Sequence, residues 1–157
     1  MDVFHGIRDH VDRRVSSAHR RRPCASASGR KSQAFRSSLD KVWAFLRGQP
    51  GLRTDGHNLF LYHHEHACRG RITVDFGVQV VRRFEQQGEV RCIETPSGTV
   101  ATVLHRGPYD RLSEAHAAVC DWCRQHAKQI GGFSWEIYGD WSDDPSKLET
   151  TVVYLLK

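Results

Sequence analysis

Between residues 32 and 47 the apolar side chains Phe35, Leu39, Val42, Trp43 and Leu46 recur at helical spacing. That spacing gathers them on one face of a helix, which Gly48 and Pro50 then stop. Residues 110–128 repeat the pattern with Leu112, Ala115, Val119, Trp122, Cys123 and His126, ahead of a terminating Gly131-Gly132. Residues 71–81 alternate instead. Ile72, Val74, Phe76, Val78 and Val80 take one side of a strand, and Arg71, Thr73, Asp75, Gly77 and Gln79 take the other. Shorter strands are expected at 58–64, 90–94, 99–105, 135–141 and 150–156. Residues 13–22 make a poorer strand, with only Val15 and Ala18 apolar. Residues 23–32 contain Pro23, Gly29 and several serines and read as a loop. Residues 1–12 read as a ragged, poorly ordered start.

The elements fall in the order β-α-β-β, one linking strand, then β-α-β-β again. This predicts an α+β domain over 13–157, built from duplicated halves at about 13–81 and 99–157. Each half would pack its helix on one face of an antiparallel sheet. The uncovered faces would then meet across a central cleft, a natural site for a small ligand.

Composition narrows the class. The 157 residues are 39% hydrophobic and 26% charged, which suits one globular domain and argues against disorder. No stretch reaches the roughly 20 apolar residues of a membrane span, and no apolar leader opens the chain. A cytoplasmic location is therefore expected. The five cysteines are odd in number, which fits reduced thiols used in packing. The net charge is +5, but the basic residues are dispersed apart from His19-Arg20-Arg21-Arg22. That pattern predicts no specific nucleic-acid partner.

Two stretches carry a family resemblance. One is Gly98-Thr-Val-Ala-Thr-Val-Leu-His-Arg-Gly-Pro-Tyr109. The other is Trp135-Glu-Ile-Tyr-Gly-Asp-Trp141, followed by Asp143-Asp144-Pro145 and Thr151-Val-Val-Tyr-Leu155. Together they resemble the GyrI-like domain, the effector-binding part of AraC-type and related multidrug regulators. Val42-Trp43-Ala-Phe-Leu46 fits that family's first helix. The resemblance implies a duplicated fold around a cleft and a glutamate ringed by aromatics that takes up lipophilic cations. Here that glutamate is Glu136. The resemblance leaves three functions open: binding of a small hydrophobic molecule, hydrolysis of strained cyclopropyl or other electrophilic molecules, and protein binding like that of the gyrase inhibitor. Too few residues precede the domain for a helix-turn-helix module, so a stand-alone form is expected.

The residues themselves point the same way. Alternation puts Trp135, Ile137, Gly139 and Trp141 on one strand face, which a helix is expected to cover. Glu136 and Tyr138 then share the cleft face, about 6–7 Å apart. A carboxylate in an apolar cleft is expected to have a raised pKa, suiting it to an organic cation or a proton transfer. Phe60 and Tyr62 would wall the cleft from the other half, and Tyr109 would reach its rim. These five are the candidate ligand-binding residues, with Glu136 also the catalytic candidate if the protein is an enzyme. The run His63-His64-Glu65-His66-Ala67-Cys68 is rich in metal-type ligands but lacks a second ligand group at a recognised spacing, so it reads as an exposed hairpin. Cys120-Asp-Trp-Cys123 lies well inside a helix, away from the N-terminal position that activates a redox thiol. No metal and no cofactor is expected.

Overall fold

The structure, a computed structural model, describes residues 23–29, 34–64 and 73–157. Among these residues, nine α-helices and β-strands follow in order. They are β1 (Pro23–Gly29), α1 (Ala34–Arg47), β2 (Arg53–His63), β3 (Thr73–Val80), β4 (Arg91–Glu94), β5 (Val100–Arg106), α2 (Leu112–Gln125), β6 (Ile130–Tyr138) and β7 (Glu149–Leu156). The expected α+β architecture is present, with β-α-β-β halves joined by the linking strand β4. The halves share one antiparallel sheet in the order β4-β1-β3-β2-β6-β7-β5, joined where β2 pairs with β6.

Two local expectations need correction. The segment from Pro23 read as a loop because its residues are small and polar. It forms β1, whose backbone is held between β3 and β4, a pairing that local composition does not encode. The expected strand at 13–22 lies outside the described residues. The second helix ends before Gly131-Gly132: Ala127 takes a left-handed φ of 51°, and Lys128 N–H donates to the Cys123 carbonyl at 2.8 Å. Gly131 instead lies in β6, where a Cβ would stand 3.2 Å from the Leu155 carbonyl oxygen.

The placement of the helices also differs from expectation, and this decides where the site lies. Phe60, Phe76, Glu136 and Val152 are cross-strand partners and so share one sheet face. Both helices pack on that face. Val42 and Leu46 of α1 meet Val78 and Val80. Leu112, Ala115, Val119 and Cys123 of α2 meet Ala101, Val103 and Val152. Among the described residues, no helix covers the Trp135 face. Instead the sheet covers itself. Its two edge strands, β4 and β5, are joined only by residues 95–99, a link that reaches about 20 Å at most. Seven flat strands would put those edges about 29 Å apart. The sheet must therefore curl. Ile93 and Val100, near the two edges, pack against the cluster of Leu59, Leu61, Trp135 and Val153. No helix among the described residues is long and apolar enough to cross a membrane.

Candidate functional site

Glu136 sits mid-strand in β6 and is only 5% exposed. Its Oε2 accepts hydrogen bonds from the hydroxyls of Tyr62 (2.8 Å) and Tyr138 (2.7 Å). Its Oε1 accepts from His116 Nε2 at 2.8 Å. Burial by itself would push the carboxyl pKa up, as the sequence suggests. The hydrogen bonds from His116, Tyr138 and Tyr62, together with the attraction of His116, outweigh burial and hold it below its ordinary value. The expected rise is thus reversed, because β2 and β6 each deliver a phenol donor to Oε2 and α2 adds a third donor at Oε1. Burial and the neighbouring carboxylate have the opposite effect on Tyr62 and Tyr138, raising both phenols well above their usual range.

Beyond His116 the polar contacts continue. Its Nδ1 lies 2.9 Å from the Tyr154 hydroxyl. His64 stacks parallel to the Tyr154 ring and places Nε2 2.7 Å from Ser134 Oγ. Burial, followed by the charges of His116 and His63, lowers the His64 pKa.

On the other side of the tyrosines a cavity of about 510 Å³ opens between the halves. Leu39, Phe60, Val74 and Phe76 wall it from the first half, and Tyr109, Tyr138, Gly139 and Trp141 from the second. Tyr138 packs 4.8 Å from the Phe60 ring and 5.3 Å from the Tyr109 ring, and Phe60 packs edge-on to Phe76 at 4.9 Å. Tyr62 and Asn58 complete the polar part of the wall, and the Trp43 indole N–H donates to Asn58 Oδ1 at 3.3 Å. The structure therefore brings together all five residues singled out from sequence. Four of them line the cavity, while Glu136 lies behind the tyrosine hydroxyls rather than on the wall.

The sequence pattern missed two members. His116 follows Ala115 and stands four residues after Leu112 and three before Val119, so the helical stripe already contained its signal. Trp141 was expected on the packed face beside Trp135. However, β6 ends at Tyr138, alternation lapses there, and Trp141 lies 74% exposed at the cavity rim.

The competing constellations resolve differently. His63 donates to Asp75 Oδ2 at 2.7 Å, while His64 faces Ser134 across the sheet, so these neighbours serve opposite faces. Arg91 pairs with the other oxygen of the buried Asp75. Residues 65–68 of the histidine-rich run lie outside the described residues. Cys120 and Cys123 are free thiols on α2, with Cys123 buried in the core.

Comparison with known proteins identifies the family and the fold. The GyrI-like small-molecule-binding domain matches residues 27–156. No curated protein matches the chain. Among solved structures, the C-terminal domain of EcmrR is similar at a TM-score of 0.76 and 19% identity, covering 90% of this chain and 94% of that one. A hydrolase encoded by lin2189 from Listeria innocua is similar at 0.65 and 10% identity, covering 90% of each chain. SAV2435 bound to tetraphenylphosphonium is similar at 0.62 and 11% identity, covering 90% and 92%. At these identities the likeness is one of fold.

Proposed function

We propose that this chain, which belongs to the GyrI-like family of small-molecule-binding domains, captures a small aromatic cation in the cavity between its two halves. The observation that carries this reading is an apolar, aromatic-walled cavity with an ionised carboxylate immediately behind it. Ring faces attract cations, and a carboxylate in a poorly hydrated setting does so more strongly than one in water. Among the described residues, no lysine or arginine lines the cavity to oppose a positive guest. The polar groups behind the tyrosine wall converge on the Glu136 carboxylate, which places its charge at the floor of the cavity. A fold relative holds tetraphenylphosphonium, a guest of this chemical type.

Glu136→Gln tests the reading. It keeps the shape and removes the countercharge. Titration calorimetry should show at least a tenfold loss of affinity for tetraphenylphosphonium, which is about 1.4 kcal/mol. Binding of the neutral triphenylphosphine oxide should change less than about twofold, a few tenths of a kcal/mol. Equal losses for both ligands, or none for the cation, would remove Glu136 from the role of countercharge.

The hydrolase among the fold relatives prompts a second reading, in which Glu136 moves a proton or orients water against a strained or electrophilic substrate. The position of Glu136 behind two donating hydroxyls favours binding, because a general base needs direct reach, or reach through one water, to the reacting proton. Turnover of a reactive cyclopropyl substrate, lost by about 10²–10⁴-fold in Glu136→Gln with binding retained, would reverse that preference.

A further inference from the structure

We infer that the cavity selects a protonated amine over a permanently alkylated cation. This rests on the cation-binding reading above and narrows its ligand class. Tyr62 and Tyr138 both line the cavity, and each commits its only hydroxyl proton to the same oxygen, Glu136 Oε2. A phenol whose proton is committed can offer a neighbour only its lone pairs. Donation to a carboxylate also makes the phenol oxygen a better acceptor, because hydrogen bonds in a chain polarise one another. Burial and the Glu136 charge raise both phenol pKa values, so both protons stay in place at neutral pH.

The two strands fix this arrangement. Phe60 of β2 stands directly opposite Glu136 of β6, so Tyr62 and Tyr138 flank the carboxylate from adjacent strands. The charge behind the wall attracts any cation, but the wall itself accepts hydrogen bonds. A quaternary or phosphonium guest has no proton to give. A protonated amine supplies both the charge and the N–H. The Tyr109 hydroxyl differs: it has no hydrogen-bond partner among the described residues, and it can turn to donate or accept as a guest requires.

Three ligands of nearly equal size separate the contributions: protonated dibenzylmethylamine, dibenzyldimethylammonium and neutral dibenzyl ether, titrated calorimetrically into the full chain at pH 7. The amine is expected to bind about tenfold or more tighter than the quaternary ion, the worth of one hydrogen bond involving a charged partner. The quaternary ion is expected to bind tighter than the ether. Equal affinity for amine and quaternary ion would overturn this inference while leaving the cation reading intact. Equal affinity for all three, or binding of none, would overturn both. The double variant Tyr62→Phe/Tyr138→Phe removes the acceptors. It should shrink the advantage of the amine at least threefold and leave the quaternary ion within about twofold of its wild-type affinity. An advantage that survives this change in full would assign the selection to another group.

Discussion

The two halves of the fold meet at β2 and β6 and put different chemistry at equivalent positions. Phe60 and Glu136 face each other in the register, and Tyr62 and Tyr138 each follow two residues later. The tyrosines are thus one feature present twice, yet both donate to the single carboxylate. The helices repeat the contrast. Leu39 follows buried Ser38 and precedes buried Val42 by three residues, while His116 follows buried Ala115 and precedes buried Val119 by three. Leu39 packs on the Phe60 cluster, and His116 bonds Glu136. One scaffold position is filled by an apolar pair in the first half and by a polar pair in the second. The wall and the charge of the cavity are therefore separable parts, and the duplicated site is unequal in a way that would orient a guest.

The severest way to break this comparison is to remove what both halves rest on. Trp135 is wholly buried in the cluster with Leu59, Leu61 and Val153, on the face away from the cavity. Trp135→Ala should cost about 3–5 kcal/mol in urea denaturation, as for other buried aromatic truncations. A loss below about 1 kcal/mol would mean that the curled face is not a core.

Converting the second half toward the first should have a smaller effect. His116→Leu takes one donor from a buried carboxylate. Breaking a fully buried pair costs about 3–5 kcal/mol, but the His116 side chain is 26% exposed and two tyrosine donors remain, so about 1–3 kcal/mol is expected. Adding Glu136→Met makes the pair apolar, as Leu39 and Phe60 are, and should recover at least half of that loss. A double variant less stable than His116→Leu would show that the tyrosine hydroxyls depend on the carboxylate more than it depends on His116.

Much of this comparison could be read from the chain. Helical and alternating spacings locate both helices and the strands of both halves apart from β1, because those periods reflect which side chains meet the core. The set of Phe60, Tyr62, Tyr109, Glu136 and Tyr138 follows from alternation and the Gly-Pro-Tyr and Trp-Glu-Ile-Tyr stretches. What failed was long-range. β1 is a strand through its neighbours β3 and β4. Among the described residues the Trp135 face carries no helix and packs against both edge strands through sheet curl, which the short link between β4 and β5 imposes. His116 is the largest single cause that lowers the Glu136 pKa, and it reaches the carboxylate through the packing of α2, which local sequence does not encode.

Acid tests the polar pair without removing an atom, so it should act more gently than the substitution. The Glu136 pKa is lowered in the folded protein because the donated bonds and His116 outweigh burial. The stability it contributes is therefore complete above the ordinary value of 4.5 and is lost as pH falls through the depressed folded value. Glu136→Gln lacks this dependence. The stability gap between wild type and Glu136→Gln, measured as midpoint denaturant concentration, should hold steady above about pH 4.5 and narrow as pH falls below it. The phenols behave oppositely. Tyr62, Tyr138 and Tyr154 are raised chiefly by burial, so the unfolded chain ionises first and stability falls above about pH 10. Tyr62→Phe should flatten that alkaline loss. A gap that widens in acid would mean that Glu136 is held protonated, contrary to its three donors.

The smallest expected effect lies at the outer flanks of the two helices, where the halves are most alike. Phe45 precedes buried Leu46 in α1, and Trp122 precedes buried Cys123 in α2. Both aromatics are half-buried and each meets one ring. Phe45 lies 4.7 Å from Phe84, and Trp122 stacks 4.4 Å from His126. The helical stripe alone places Trp122 in the core, where its loss would match that of Trp135. The structure places it beside the core instead, stacked on a side chain of the next turn that is itself exposed. Such a pair contributes about 0.5–1.5 kcal/mol beyond the area it covers. Trp122→Ala is therefore expected to cost well under half of the Trp135→Ala loss. Phe45→Ala should cost somewhat more than Trp122→Ala, because Phe84 lies in the segment between β3 and β4 and loses its anchor to α1. Hydrogen exchange can separate the two. Phe45→Ala should speed exchange across residues 82–90, and Trp122→Ala should leave that segment unchanged. A Trp122→Ala loss of about 3 kcal/mol or more would return the indole to the core and mean that α2 is rolled differently on its sheet.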